Sequence, residues 1–255
     1  MTNEEWDGAV LRELAPDWAD RIFFLPECGS TNDEARNLAL RGAREWTVVL
    51  TERQECGRGR RGQRWVCPPG KGLAFSLILR PSEAAVLWSR CALTAGLAIA
   101  EGLERFGVST GLKWPNDVRV GPGKIAGILV EADAEFVVVG VGVNVNVGEF
   151  PGDLDFPATS LVMELGNQEL REEVLVSCLK RLRVRLGQLG SGFDEVIRAW
   201  SERCVLTGRV VTLDAGGKSK TGTVEGISDG GELLLRGVNG VERILQASEI
   251  REVPI

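Results

Sequence analysis

The chain has no histidine and no tyrosine in its 255 residues. Without imidazole there is no Ser-His-Asp or Cys-His mechanism and no His-containing zinc site. Any chemistry must therefore fall to Arg, Lys, carboxylates, backbone amides or a bound metal. The six cysteines (Cys28, Cys56, Cys67, Cys91, Cys178, Cys204) form no C-x-x-C pair, and the closest two, Cys56 and Cys67, have ten residues between them. That spacing speaks against metal knuckles and thioredoxin-like motifs. The acidic start, Met1-Thr-Asn-Glu-Glu-Trp6, lacks the basic-then-apolar layout of a secretion signal. The most apolar stretch, Val86 to Ala100, is too short to span a bilayer and carries Arg90. A soluble cytoplasmic protein with reduced thiols is expected. There is no internal repeat and no low-complexity tract. The net charge of −6 argues against a protein that coats nucleic acid. With 44% hydrophobic and 26% charged residues, the composition is that of an ordered globular chain. Its length suits one large domain, or one domain with a small appendage.

Periodicity organises the chain. Thr31-Asn-Asp-Glu34 has capping-box spacing, with Ala35, Leu38 and Ala39 following at helical intervals and Gly42 marking the end. Trp46–Thr51 and Leu73–Leu79 read as strands. A mostly apolar helix is expected from Ser82 to Phe106, closed by Gly107. Lys124–Glu131 and Glu135–Val147 read as a central β-hairpin joined at Ala132-Asp133-Ala134. The stripe Leu170, Val174, Cys178, Leu182, Leu186 marks a helix within Glu169–Leu189, and Phe193–Cys204 a second. Beyond Leu206 come short β-runs separated by Ala215-Gly-Gly217 and Asp229-Gly-Gly231, which suit a small barrel.

Four segments carry candidate chemistry. Gly57-Arg-Gly-Arg-Arg-Gly-Gln-Arg-Trp65 contains G-x-G-x-x-G, but Pro68-Pro69 follows where a dinucleotide fold needs a helix. Arg58, Arg60, Arg61 and Arg64 repel one another unless an anion sits among them. A solvated basic loop and an anion-binding loop are the two readings, and the interleaved glycines favour close approach of backbone amides to a phosphate. Lys113-Trp-Pro-Asn-Asp117 is, by itself, a turn. Gly121-Pro-Gly-Lys-Ile-Ala-Gly127 puts Lys124 at a strand entrance and is not a Walker A loop, because Ile125 stands where Ser or Thr is needed. Gly140-Val-Gly-Val-Asn-Val-Asn146 alternates glycine with valine. Glycines inside a strand signal close approach of a ligand or another backbone, and buried asparagines need partners.

In this order, Ser30-Thr-Asn32, Gly57–Gly62 with Trp65, Phe75-Ser76, Lys113–Asp117, Lys124-Ile-Ala-Gly-Ile-Leu-Val-Glu131, Gly140–Asn144 and Ala158-Thr-Ser-Leu161 resemble the biotin–protein ligase family. The resemblance runs from Cys28 to Leu161 and extends to the layout of the C-terminal barrel. It implies an α+β fold: a mixed β-sheet flanked by helices, of the class II synthetase-like type, plus a small SH3-like β-barrel. It divides the chain into a 1–27 extension, a 28–205 catalytic domain and a 206–255 barrel. It implies ATP-dependent activation of biotin to biotinyl-5′-AMP, then transfer to one lysine of the biotin carboxyl carrier domain of a carboxylase. Mg²⁺ would accompany the ATP phosphates. By the same resemblance, Lys124, Arg58 and Arg60 are catalytic candidates; Asp117 joins them on its position beside Asn116 alone, to orient or deprotonate the acceptor amine. Ser30, Thr31, Asn32, Gln54, Gly59 and Gly127 join Arg58, Arg60 and Lys124 around biotin. Arg61, Trp65, Asn116 and Asn144 join Arg58 and Lys124 around the nucleotide.

The resemblance leaves a homodimer open and implies no membrane association. Only 29 residues precede Ser30, with no basic helix-turn-helix pattern, so DNA repression is not expected. Cys67 stands where the family commonly has serine, either as a small substitute or as a reactive thiol near the site. The competing readings are a lipoate–protein ligase, a non-catalytic biotin- or carrier-binding module, and a nucleic-acid-binding regulator that uses the arginines on phosphates.

Overall fold

A computed structural model describes residues 6–80, 88–152, 154, 156–247 and 250–253. Its main sheet has seven strands in the order β1-β2-β3-β7-β6-β5-β4. These are β1 (Ile22–Cys28), β2 (Val48–Gln54), β3 (Gly72–Leu79), β4 (Gly111–Lys113), β5 (Asp117–Val120), β6 (Gly123–Ala132) and β7 (Val137–Asn144). β1 pairs parallel to β2 and the remaining pairs are antiparallel, so the sheet is mixed. Every residue of β3 and β7 is buried, as their continuous apolar character requires of central strands.

The two faces of the sheet are covered differently. Helix α2 (Thr31–Leu40) packs on one, where Ala35 and Ala39 meet Val49, Ile78 and Val138. Helices α3 (Trp88–Glu104), α5 (Arg171–Leu186) and α6 (Phe193–Glu202) bury the other in a larger core with Phe75, Leu77, Val139 and Val141. Ser177 in α5 donates to the Gly102 carbonyl of α3 at 2.9 Å, and a Cβ on Gly102 would sit tightly, 3.1 Å from Cys178 Cα. Two short helices complete the α set: α1 (Gly8–Leu14), capped by Asp7 and packed on α5, and α4 (Leu161–Leu165), capped by Ser160.

The C-terminal sheet is antiparallel, in the order β11-β10-β9-β8-β12, and is of the SH3-like barrel type. Its strands are β8 (Val210–Ala215), β9 (Lys218–Ile227), β10 (Leu233–Gly237), β11 (Gly240–Ile244) and β12 (Ile250–Glu252). Gly216 and Gly217 both sit at positive φ in the β8–β9 turn, a conformation that favours glycine.

Several boundaries differ from those read in the sequence. The N-cap of α2 is Ser30, not Thr31, and Ser30 makes no side-chain cap bond. Gln54 of β2 takes over, its Oε1 accepting from the Thr31 N–H at 2.9 Å, so a neighbouring strand satisfies an orphan helix donor. β2 begins at Val48 because Trp46 adopts φ 65° and turns edge-on to Trp18, ring centroids 5.9 Å apart. The hairpin turn extends through Phe136, whose carbonyl accepts from Asp133 N–H at 2.9 Å. The expected start of α3, residues 81–87, lies outside the described residues.

Candidate active site

The site follows from alternation along three adjacent strands. Ser76 pairs with Gly140 and Gly140 with Leu129; one step along, Ala74 pairs with Gly142 and Gly142 with Gly127. Residues two apart share a face, so Gly140 and Gly142 lie on the side of Val138, under the N-terminus of α2. A floor of Gly127, Gly140 and Gly142 leaves a cavity of about 300 Å³. A Cβ on Gly142 would overlap the Trp65 indole, and one on Gly140 would overlap the Asn32 amide. The bare backbone is what lets both side chains lie against the sheet.

One end of the cavity is a neutral polar network. Thr31 Oγ1 lies 2.7 Å from Ser76 Oγ, which lies 2.6 Å from Asn32 Oδ1. The Asn32 oxygen only accepts, so the single Ser76 proton goes to it, and the Thr31 proton is left for Ser76 Oγ or for Gln54 Oε1, which lies 3.2 Å from Thr31 Oγ1. Asn32 Nδ2 donates to Glu131 at 2.6 Å. Ser76 and Asn32 are thus oriented before a ligand arrives, while the Ser30 hydroxyl, free of capping, lines the wall.

The other end is cationic. Lys124 Nζ sits 2.6 Å from Asp117 Oδ1 and 5.8 Å from the centroid of the Trp65 ring. Among the described residues, six cationic side chains line the cavity (Arg58, Arg60, Arg61, Arg64, Lys113, Lys124) against one carboxylate, Asp117. Such an excess of one sign focuses an anion into the cleft. The glycine–arginine loop is a small hairpin: Trp65 N–H donates to Gly57 O at 2.9 Å and Gly59 N–H to Gln63 O at 2.6 Å. Arg61 turns it at φ 55°.

The arginines of this loop have different partners. Arg58 forms a fork on Asp33, at 2.5 and 2.7 Å, and reaches Glu131 at 3.3 Å. That contact holds the Asp33 carboxyl below its ordinary range and lifts the guanidinium pKa above its own. Arg60 is more buried and donates to the Ala247 carbonyl of the C-terminal sheet at 3.3 Å. Burial, then the neighbouring Arg61, lowers its pKa.

Of the sequence-derived candidates, all but Asn144 line this cavity. Asn144 lies behind the wall, donating to the carbonyls of Lys124 at 3.3 Å and Thr159 at 3.0 Å, and so steadies the strand that carries Lys124. Asn116 lines the wall while its side chain donates to Ile128 O at 2.7 Å. Cys67 is half-buried against Gly72, and burial pushes its thiol up to about 12, which keeps it protonated at neutral pH. Sequence reasoning gave no site role to Ser76, Glu131, Lys113 or Phe156, although the first three lie in its motifs. Ser76 was detectable as the one hydroxyl in an apolar strand, and Lys113 as a charge beside Trp114 at the end of a short apolar run.

The segment that builds this glycine floor, lysine and arginine loop is the one that places the chain in the class of biotin and lipoate ligases. Residues 28–147 match the biotin/lipoate A/B protein ligase family, and residues 206–251 the biotin protein ligase C-terminal domain. A biotin--[acetyl-CoA-carboxylase] ligase of Paracoccus denitrificans is 35% identical over 246 residues, 89% of this chain and 98% of that protein. The bifunctional ligase/repressor BirA of Bacillus subtilis is 33% identical over 89% of this chain and 72% of its own length. The biotin protein ligase of Aquifex aeolicus, solved with biotin and ATP, superposes with a TM-score of 0.83 at 32% identity, covering 91% of this chain and 99% of that one. The chain belongs to the biotin protein ligase family.

Proposed function

We propose that this chain is a biotin–[biotin carboxyl-carrier protein] ligase that joins biotin to AMP at the expense of ATP and then passes the biotinyl group to a carrier-domain lysine. The observation that carries the reading is Lys124, paired with Asp117 and backed by Trp65, at the junction between a neutral polar end and a cationic end of one cavity. The division of labour follows: residues 28–205 supply the chemistry and 206–255 hold Arg60 from the far side.

In the first step a carboxylate oxygen of biotin attacks the α-phosphorus, the bond to the bridging oxygen breaks, and pyrophosphate leaves with the electron pair. No proton moves, so the requirement is charge neutralisation, which needs no histidine. Ser30, Thr31, Asn32, Gln54 and the Gly127 backbone hold the ureido end. Lys124 and Arg60 face the carboxylate and α-phosphate, with Arg58 and Gly59 of the loop closing over them. Trp65, Arg61, Asn116 and, through the Lys124 strand, Asn144 form the nucleotide side. Asp117 is one carboxylate already shared with Lys124. Any Mg²⁺ would therefore enter on the phosphates of the nucleotide substrate, keeping phosphate and water oxygens as most of its ligands.

In the second step the carrier amine attacks the acyl carbonyl and AMP leaves. With an unperturbed pKa near 10.4, forming the free amine at pH 7 costs roughly 4.6 kcal/mol. Lys124 occupies Asp117 Oδ1, which leaves Oδ2 to orient or to deprotonate the amine. The reading places the protein in the cytoplasm, where carrier domains are made. Among the described residues no helix is long and apolar enough to cross a membrane. It assigns no DNA contact and does not depend on a dimer.

The test is ATP–pyrophosphate exchange with biotin and with lipoate in parallel. Exchange with biotin alone is expected. Exchange with lipoate alone, or silence with both from folded protein, overturns the proposal.

A further inference from the structure

Lys113 is a buried cation to which the reaction above gives no task. It ends β4 and is 7% exposed. Its Nζ donates to the Ile250 carbonyl of β12 at 2.8 Å and stands 4.8 Å from the centroid of the Phe156 ring. An ammonium has three N–H donors; one carbonyl and one aromatic face leave part of that capacity unused. No carboxylate pairs with it among the described residues, unlike buried Arg171, which pairs with Glu52, and buried Glu101, which pairs with Arg185. Burial first, and then Arg119 nearby, pulls its pKa below the ordinary lysine value. A buried charge without a counter-ion is costly, so its retention calls for an anion that comes and goes.

That anion must enter from the reaction cavity, because Phe156 and Ile250, which hold Nζ, are themselves walls of it. Cross-strand register gives the position. Asp117 pairs with Gly127 on one side and with Lys113 on the other. Lys113 is therefore two strands from the glycine floor, about 10 Å at the usual strand spacing. It lies beyond Lys124 and on the side away from the neutral Ser30–Gln54 end.

We propose that Lys113 is a catalytic residue that binds the β-phosphate of the nucleotide and the pyrophosphate it becomes. This rests on the adenylation reading above. As the bond between the α-phosphorus and its bridging oxygen breaks, the electron pair stays on that oxygen, and a Lys113 N–H donates to the leaving group without transferring its proton. The Ile250 carbonyl holds Nζ in the same place before the nucleotide enters and after pyrophosphate departs, so the C-terminal sheet keeps the cation aimed.

The experiment separates the two half-reactions. Formation of ATP from preformed biotinyl-5′-AMP and pyrophosphate is measured against pyrophosphate concentration. Release of the biotinyl group from the same adenylate to hydroxylamine is followed alongside. Lys113→Gln is expected to raise the half-saturating pyrophosphate at least tenfold while hydroxylamine release stays within threefold; Lys113→Arg is expected to recover most of the loss. Equal falls in both reactions, or an unchanged pyrophosphate dependence, overturn the proposal. If the glutamine variant does not fold, acetylation of Lys113 in the wild-type chain decides. Protection by pyrophosphate is expected, and equal labelling with and without it overturns the idea. Wild-type protein that forms no adenylate from biotin sinks the biotin reading instead, whereas pyrophosphate protection of Lys113 can still be read in that protein.

Discussion

The two faces of β7 are built from the same short sequence and do opposite things. Val139, Val141 and Val143 face α3 and α5 and are buried in the main core. Gly140 and Gly142, between them, face α2, and each lacks the Cβ that would strike a side chain of the site: Asn32 over Gly140, Trp65 over Gly142. The valine face is filled by its own side chains. The glycine face is filled by side chains brought from elsewhere, and the gap they leave is the cavity. Stability and chemistry are thus separated by a single residue step along one strand, because the side-chain period of a strand is two.

This separation can be broken from either side. Gly142→Ala adds one methyl group where the Trp65 indole lies. The tryptophan must lift, taking with it the wall beside Lys124, and misplacement on this scale costs about 100-fold in rate. Biotin-dependent exchange should fall by that order while the melting temperature moves by less than about 2 °C. Val139→Ala, one face over, should do the reverse. It removes buried methyl groups from a fully covered position, a loss of about 2 kcal/mol. For a chain of this size that is about 4–8 °C in melting temperature, with exchange at room temperature within twofold. Parallel losses of activity and stability in both variants would show that the faces are not independent.

The Gly-Val alternation was legible because it uses the most regular signal a strand has. The α5 stripe and the glycine turns of the C-terminal sheet were legible for similar reasons. β1 was not read as a strand: it is an edge strand with Pro26 inside it, and Phe23 and Phe24 are both exposed, so no alternation marks it. The start of α2 was misplaced by one residue because its cap comes from Gln54 on a neighbouring strand. In the site, the lysine, the arginine loop and the glycines were found from the motifs that carry the family resemblance. The missed parts depend on contacts between distant segments. Asn32 meets Ser76 and Glu131 across 44 and 99 residues. Arg60, Lys113 and Trp114 are held by the carbonyls of Ala247, Ile250 and Gly231. A backbone carbonyl accepts in the same way whatever residue carries it, so no sequence pattern announces those three bonds.

The smallest expected effect concerns the same glycine face at its far end. Gly72 lies on the same face as Ala74 and Ser76, and its missing Cβ makes room for Cys67 Sγ, as Gly142 makes room for Trp65. Seated there, the thiol is pushed up to about 12 by burial, so almost none of it is thiolate at pH 8. Cys56, one residue before the glycine–arginine loop, is exposed. Native protein treated with a thiol reagent at pH 8 should therefore label at Cys56 and leave Cys67 unmodified, with mass spectrometry of peptides giving the ratio. Labelling of Cys67 at a rate like that of Cys56 would mean that this end of the glycine face is open to solvent. The comparison would then hold for Gly140 and Gly142 but not for the whole face.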